Sequence, residues 1–181
     1  MKKLLLVVDP QVDFISGSLP VGGAAEAMDR LADYVHHHNG AYVCKVVTTD
    51  WHPYNHCSFA PQGGPWPIHC VQHSVGASIH QPLLDALYTT RGDVHILPKG
   101  NRANREEYSI FKNRSSALQI YHMLKRNGIE QVDICGLAGD ICVLNTLKDG
   151  EKRYGRDLFH VLKQFSPSLD GGKALNEYLK R

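Results

Sequence analysis

The stretch KLLLVVDP, residues 3–10, decides the fold. Leu4 to Val8 is an unbroken apolar run, stopped by Asp9 and Pro10. A run of that length with no polar alternation is the pattern of a strand covered on both faces, as in a parallel sheet. Working outward, Ala27, Leu31, Tyr34 and Val35 have helical spacing within residues 23–38, and Asn39-Gly40 stops that helix. Residues 42–48 read as a second strand, 94–97 as a third, 131–135 as a fourth and 157–162 as a fifth. Helices are expected over 115–127, closed by Gly128, over 140–154 and over 170–180. Strand and helix in turn predict an α/β, three-layer, doubly wound and mostly parallel sheet of five or six strands, with helices on both faces. The expected strand order is 3-2-1-4-5, and no sixth strand is evident before the end of the chain.

Composition narrows the function classes. The 181 residues fit one domain, 1–181, and 43% hydrophobic against 21% charged residues is enough apolar material for a core. The net charge of +2 carries no basic run that would gather phosphates, so nucleic acid is a poor partner. A five-residue apolar run is far short of the roughly 20 that a membrane helix needs, and Lys2-Lys3 is followed by no signal-peptide core. No membrane partner and a cytoplasmic location are expected. Five cysteines, an odd number without CxxC spacing, argue against a disulfide framework and leave thiol chemistry open. His36-His37-His38 reads as the polar end of a helix before Asn39-Gly40. Residues 49–80, rich in Pro, Gly, His and aromatics, have neither period, and loops that long in compact domains are usually functional.

In doubly wound sheets, ligands bind beyond the carboxyl ends of the strands. Asp9 follows strand one, Asp50 and His52 strand two, Lys99 strand three, and Cys142 lies a few residues past strand four. A carboxylate, an ammonium, a thiol and a metal-type cluster therefore share one edge. Cys142 follows Asp140 at the start of a helix, where the dipole and backbone N–H groups favour a thiolate. Asp9 could serve it as base and Lys99 could stabilise charge as it develops. Taken alone, Cys142 reads more readily as a small core residue and Lys99 as a solvated lysine before a Gly turn. Cys135, inside an apolar strand, is a packed and inert thiol. Asp50 and His52, two apart in extended backbone, point the same way, and His69 can close the set. One carboxylate and two imidazoles suit one divalent ion, zinc foremost with iron or manganese as alternatives. His56, four residues after His52, is a further ligand or a supporting donor.

The residues then match a family. Asp9-Pro10-Gln11-Val12-Asp13-Phe14 with Gly17-Ser18-Leu19-Pro20-Val21 resembles the opening of nicotinamidases of the isochorismatase-like cysteine hydrolase superfamily. So do Asp50-Trp51-His52-Pro53, Trp66-Pro67 with His69-Cys70, Lys99-Gly100, and Gly136-Leu137-Ala138 with Asp140 and Cys142-Val143. The resemblance implies hydrolysis of nicotinamide, and of pyrazinamide, to the acid and ammonia, in the service of NAD salvage. It implies a triad of Asp9, Lys99 and Cys142, an oxyanion held by the backbone of Ala138 and Cys142, and a cis Leu137–Ala138 peptide. It implies a metal on Asp50, His52 and His69, and a substrate ring walled by Phe14, Leu19, Trp66 and Tyr108. Ordinary packing explains those four side chains as well as substrate contact does.

Three readings compete: a metal-bearing nicotinamidase, a metal-independent amide hydrolase of the same superfamily, and a non-catalytic metal or thiol module. A homo-oligomer is left open. The segment Gly139-Asp140-Ile141-Cys142 departs from many relatives, which carry Thr before the Asp and Tyr or His before the Cys.

Overall fold

The structure is a computed structural model and describes residues 1–181. β1 (Lys3–Val8) is buried from Leu4 onward. Its side chains alternate between two cores, Leu5 and Val7 on one side and Leu4, Leu6 and Val8 on the other, as the two-residue period of a strand requires. Each such fully buried Leu or Val contributes about 1.5–3 kcal/mol, so both layers are anchored on this one strand. The chain continues through a single helical turn α1 (Val12–Ile15), α2 (Ala24–His37), β2 (Cys44–Asp50), α3 (Gln81–Thr89), β3 (Asp93–Lys99) and α4 (Arg114–Asn127). It ends with β4 (Gln131–Gly136), α5 (Leu144–Tyr154), β5 (Phe159–Val161) and α6 (Lys173–Leu179).

The five strands pair in parallel in the order β3-β2-β1-β4-β5. This is the order expected from the sequence. Met28 and Leu31 of α2 with Leu83 and Leu87 of α3 cover one face. Ile120 of α4, Leu147 of α5 and Leu175 of α6 cover the other. β1 and β4 approach closely at Gly136, where φ is +123° and an added Cβ would stand 2.0 Å from the Val8 carbonyl oxygen. No helix is long and apolar enough to cross a membrane.

Boundaries differ from the expectation for identifiable reasons. β2 and β3 run on to Asp50 and Lys99, and β3 carries Pro98; as the outer strand of the sheet it tolerates a missing N–H. α4 starts at Arg114 because the Asn113 side chain caps it, accepting the Ser116 N–H at 3.2 Å, and it ends at Gly128 with φ +60°. α6 starts at Lys173 rather than 170, since Asp170 spends both carboxylate oxygens on the N–H groups of Gly172, Lys173 and Ala174. β5 shortens because Arg156–Leu158 forms a 3-10 turn. The expected helix over 140–154 opens instead as a π-helical turn, Gly139–Val143, before α5. α3 was not expected, although Pro82 near its start and Leu83, Ala86 and Leu87 on its buried side carry the usual signal.

Burial of Lys45 in β2 also has a local cause. Its ammonium donates to Leu87 O at 2.5 Å, Thr90 O at 3.0 Å and Thr90 Oγ1 at 2.9 Å. All three protons are satisfied at the C-terminal end of α3, where the helix dipole favours a cation.

Candidate active site

In this strand order, connections leave β1 toward β2 and β3 on one side and return to β4 on the other. The carboxyl ends of β1 and β4 therefore border the crevice that doubly wound sheets use for ligands. Asp9 stands immediately past β1 in left-handed backbone, φ +47°, a conformation that few residues other than Gly adopt and that Asp tolerates better than most. Its N–H donates to Thr48 O at 3.0 Å, and the Thr48 hydroxyl donates to Asp9 Oδ1 at 2.6 Å.

Lys99, the last residue of β3, joins the cluster. It is fully buried, and its Nζ lies 2.8 Å from Asp9 Oδ2, 2.5 Å from Asp50 Oδ1 and 3.5 Å from Cys142 Sγ. The sulfur and one carboxylate oxygen from each of Asp9 and Asp50 lie within 4.8 Å of one another. The sequence thus delivered three remote strand ends to one point. Burial raises the Asp9 carboxyl, with Lys99 opposing, to about 6. Burial likewise pushes the Cys142 thiol well above its ordinary range, against the pull of Lys99. For Lys99 burial acts downward, but Asp50 and Asp9 outweigh it and hold the ammonium charged. At neutral pH the centre therefore holds a thiol beside a carboxylate.

The Leu137–Ala138 peptide is cis, as the resemblance implied. The Ala138 N–H, at the floor of the site, donates to no backbone carbonyl. Cys142 sits in the π-helical turn that follows, so its thiol is carried by the first turn of the helical segment rather than by a regular α-helix.

The second constellation adjoins the first through Asp50. One ligand-type atom from each of Asp50, His52 and His69 falls within a 4.8 Å group. His52 Nδ1 bonds Gly100 O at 2.8 Å and His69 Nδ1 bonds Pro67 O at 2.7 Å. A carbonyl can only accept, so each Nδ1 carries a proton and each Nε2 is the atom left for a ligand. Burial acts downward on His52, but the Asp50 carboxylate, 3.5 Å from its Nε2, outweighs burial and raises it, so a cation there competes with a proton. His52 Nε2 is buried without a hydrogen-bond partner, which is costly unless something accepts the lone pair. Burial holds His69 below the usual histidine range and hence neutral. Lys99 offsets one of the two buried carboxylates of Asp9 and Asp50, leaving a net negative charge that suits a cation. The donor set therefore fits a divalent metal.

His56 does not fit as a further ligand. Its Nε2 lies 3.0 Å from Arg105 O and its Nδ1 2.7 Å from Ser58 Oγ. Nε2 must carry the proton, and Nδ1 spends its lone pair on serine. His56 instead packs its ring against that of His52, with centroids 4.0 Å apart.

Above both constellations lies a pocket of about 380 Å³ including its mouth. Phe14, Leu19, Trp66 and Tyr108 all line it, together with Cys142, Ala138, Asp50 and His69. Trp66 Nε1–H donates to Tyr108 Oη at 3.0 Å, tying two walls together. Asp9 and Lys99 are absent from the lining and lie behind the thiol. Several residues escaped the sequence reading. Glu106, Ile141 and Leu169 also line the pocket. Gln11 is fully buried and grips Asp50 by both backbone groups, at 2.8 Å each. Asp13 accepts the Cys70 N–H at 2.7 Å and the Ser18 N–H at 3.1 Å, which binds the loop of His69 to the loop of Leu19. Gln11 and Asp13 carry no composition or spacing signal for these roles, since each acts on a backbone group of a residue distant in sequence.

Fold and site together define a doubly wound α/β domain with a buried Cys–Asp–Lys cluster at its switch point. The chain belongs to the isochorismatase family: the isochorismatase domain matches residues 3–153. Among relatives, the nicotinamidase of Acinetobacter baylyi is 36% identical over 167 residues, 82% of this chain and 74% of that one. The pyrazinamidase of Pyrococcus horikoshii, solved in complex with zinc, is 31% identical with a TM-score of 0.81, covering 99% of this chain and 96% of that one. PnC1 of L. infantum, solved in complex with nicotinate, is 34% identical with a TM-score of 0.82, covering 99% and 88%.

Proposed function

We propose that the chain is a metal-bearing amidohydrolase that converts nicotinamide to nicotinate and ammonia, and accepts pyrazinamide. The carrying observation is the position of Lys99 Nζ, which touches Asp9, Asp50 and Cys142 at once. It couples the thiol centre to the donor triad beside a pocket walled by Phe14, Trp66 and Tyr108. A non-catalytic module needs no such buried ammonium. The relatives' nicotinamidase activity and bound nicotinate support the same substrate class.

In this reading Asp9, with a pKa near that of an effective base at neutral pH, takes the Cys142 proton. The sulfur forms a bond to the carboxamide carbon while the carbonyl electron pair moves to oxygen, held by the N–H groups of Ala138 and Cys142. Asp9 returns the proton to the amide nitrogen, the C–N bond breaks, and ammonia leaves. Water, deprotonated by Asp9, adds to the thioester; the C–S bond breaks as the carbonyl re-forms, the sulfur takes the proton back from Asp9, and the acid is released and ionises to nicotinate. Lys99 keeps the buried carboxylates and the thiolate balanced throughout. Asp50, His52 and His69 would hold one divalent ion, zinc by preference with iron or manganese as alternatives, and when bound it supplies a Lewis-acid anchor for the pyridine nitrogen. Phe14, Leu19, Trp66 and Tyr108 place the ring by offset and edge contacts. The setting proposed for this chemistry is NAD salvage in the cytoplasm, a reducing compartment that suits five unpaired cysteines.

Ring anchoring is tested by ammonia release from nicotinamide and from benzamide, which matches it in shape but lacks the ring nitrogen. Benzamide is expected to show a kcat/KM lower by about 10²-fold or more, because a site built to bind an acceptor rejects the analogue without it. Equal values for the two amides would remove the anchor from the mechanism.

The pH profile follows from Asp9. The base must be a carboxylate, so kcat/KM is expected to rise about tenfold per pH unit on the acid side and to level off above a break near the Asp9 value of about 6. Stopped assays between pH 3.5 and 8 locate the break, and one near 4, the ordinary carboxylate value, would show that burial does not raise the base. Loss of the acid limb in Asp9→Asn together with its activity is the check that the base is Asp9.

A further inference from the structure

We propose that Glu107 is the positioning residue of the donor triad, acting through Gly100 on the imidazole of His52. The proposal rests on the reading of Asp50, His52 and His69 as metal ligands. Glu107 comes from the polar loop 101–108, yet it is only 3% exposed. Its Oε2 accepts the Gly100 N–H at 2.9 Å and the Asn113 Nδ2–H at 2.9 Å. Gly100 in turn presents its carbonyl to His52 Nδ1 at 2.8 Å. Two bonds on one residue thus connect a buried carboxylate to the ring nitrogen opposite the free Nε2.

Gly100 is suited to that place by conformation and by space. Its φ is +63°, and a Cβ there would lie 2.4 Å from His52 Cε1. The imidazole therefore rests directly on the Gly100 backbone, and a shift of Gly100 is a shift of the ring. Asn113 fixes the far end, because the same side chain that donates to Glu107 also caps α4 through Ser116 N–H. The resulting path runs from a helix terminus through Glu107 and Gly100 to His52. Partners of this kind fix the tautomer and orientation of a ligating histidine, and their loss commonly weakens metal binding by about 10–100-fold.

A role limited to holding the loop would lower stability while leaving the metal and His52 untouched. Glu107→Leu removes the acceptor at similar volume, and Glu107→Gln keeps an acceptor oxygen without the charge. Zinc is titrated calorimetrically into chelator-stripped protein, and the His52 tautomer is read in the zinc-free protein by long-range 1H–15N NMR. E107L is expected to bind zinc about 10–100-fold more weakly and to show protonation spread over both His52 nitrogens. E107Q is expected to stay within about threefold of the unsubstituted chain and to keep the proton on Nδ1. An unchanged zinc Kd and tautomer in E107L, or a loss in E107Q equal to that in E107L, would overturn the proposal. Should E107L not fold, Glu107→Asp withdraws the acceptor by one methylene and is expected to lose about 3–10-fold; wild-type affinity there overturns it equally. If the unsubstituted chain binds no zinc, the metal reading fails instead, and the tautomer measurement still decides the link from Glu107 to His52.

Discussion

Replacing Cys142 by alanine is expected to lower kcat for nicotinamide hydrolysis by at least about 10⁴-fold, to the level left by binding and the oxyanion donors alone. The thiol is the pocket-lining member of the cluster, while Asp9 and Lys99 stand behind it. No other cysteine can substitute. Cys135 lies within β4 and its thiol is pushed above the ordinary range by burial, and neither it nor Cys44, Cys57 or Cys70 lines the pocket. Serine at position 142 is expected to fail nearly as badly, because a hydroxyl holds its proton far more tightly than a thiol and the base is a carboxylate near 6. The fold should survive either change, since the neighbouring packing of Val143, Leu144 and Leu147 is untouched and one sulfur is a small loss of buried surface. Ammonia release under saturating nicotinamide, with circular dichroism as the control for folding, makes the comparison. Activity in C142A within tenfold of the unsubstituted chain would exclude a covalent mechanism through this sulfur.

What the sequence made legible and what it did not follow from how far each signal reaches along the chain. β1 reads correctly because five adjacent apolar residues need no partner to be recognised, and the rule that ligands gather at strand ends then placed Asp9, Asp50 and Lys99 on one edge. Ring-nitrogen partners are invisible at that level. His56 has the right spacing from His52 for a ligand, yet Arg105 O and Ser58 Oγ, one of them distant in sequence, take both of its nitrogens. Gln11, Thr48 and Glu107 escaped notice for a related reason: each holds a backbone group or another side chain of the site, and a polar residue doing so looks like any loop residue until the partner is known. The π-helical turn before α5 is a change in hydrogen-bond ring size, which leaves no trace in apolar periodicity.

Lys99→Met is expected to be the single change most damaging to stability, and to cost activity as well. The side chain is fully buried, and its ammonium separates the Asp9 and Asp50 carboxylates at 2.8 and 2.5 Å. Methionine fills much of the volume but leaves two carboxylates buried without their cation, and breaking a buried ion pair in this way costs about 3–5 kcal/mol. Arginine is no remedy, since a planar fork cannot occupy the point that a compact ammonium fills between three groups. Activity should fall by about 10³-fold or more, because the developing thiolate would meet two unbalanced negative charges. The pH dependence separates this account from simple misfolding. Without Lys99, which opposes the effect of burial on Asp9, the Asp9 carboxyl rises further above its unfolded value. A carboxyl raised by folding binds its proton more tightly in the native state, so native stability is regained as pH falls. Urea midpoints measured with chelator present, to keep any bound metal out of the comparison, should therefore show a gap between K99M and the unsubstituted chain that is widest at pH 8 and narrows toward pH 5. A gap independent of pH would mean that Lys99 contributes packing alone, and the electrostatic core of the proposed mechanism would go with it.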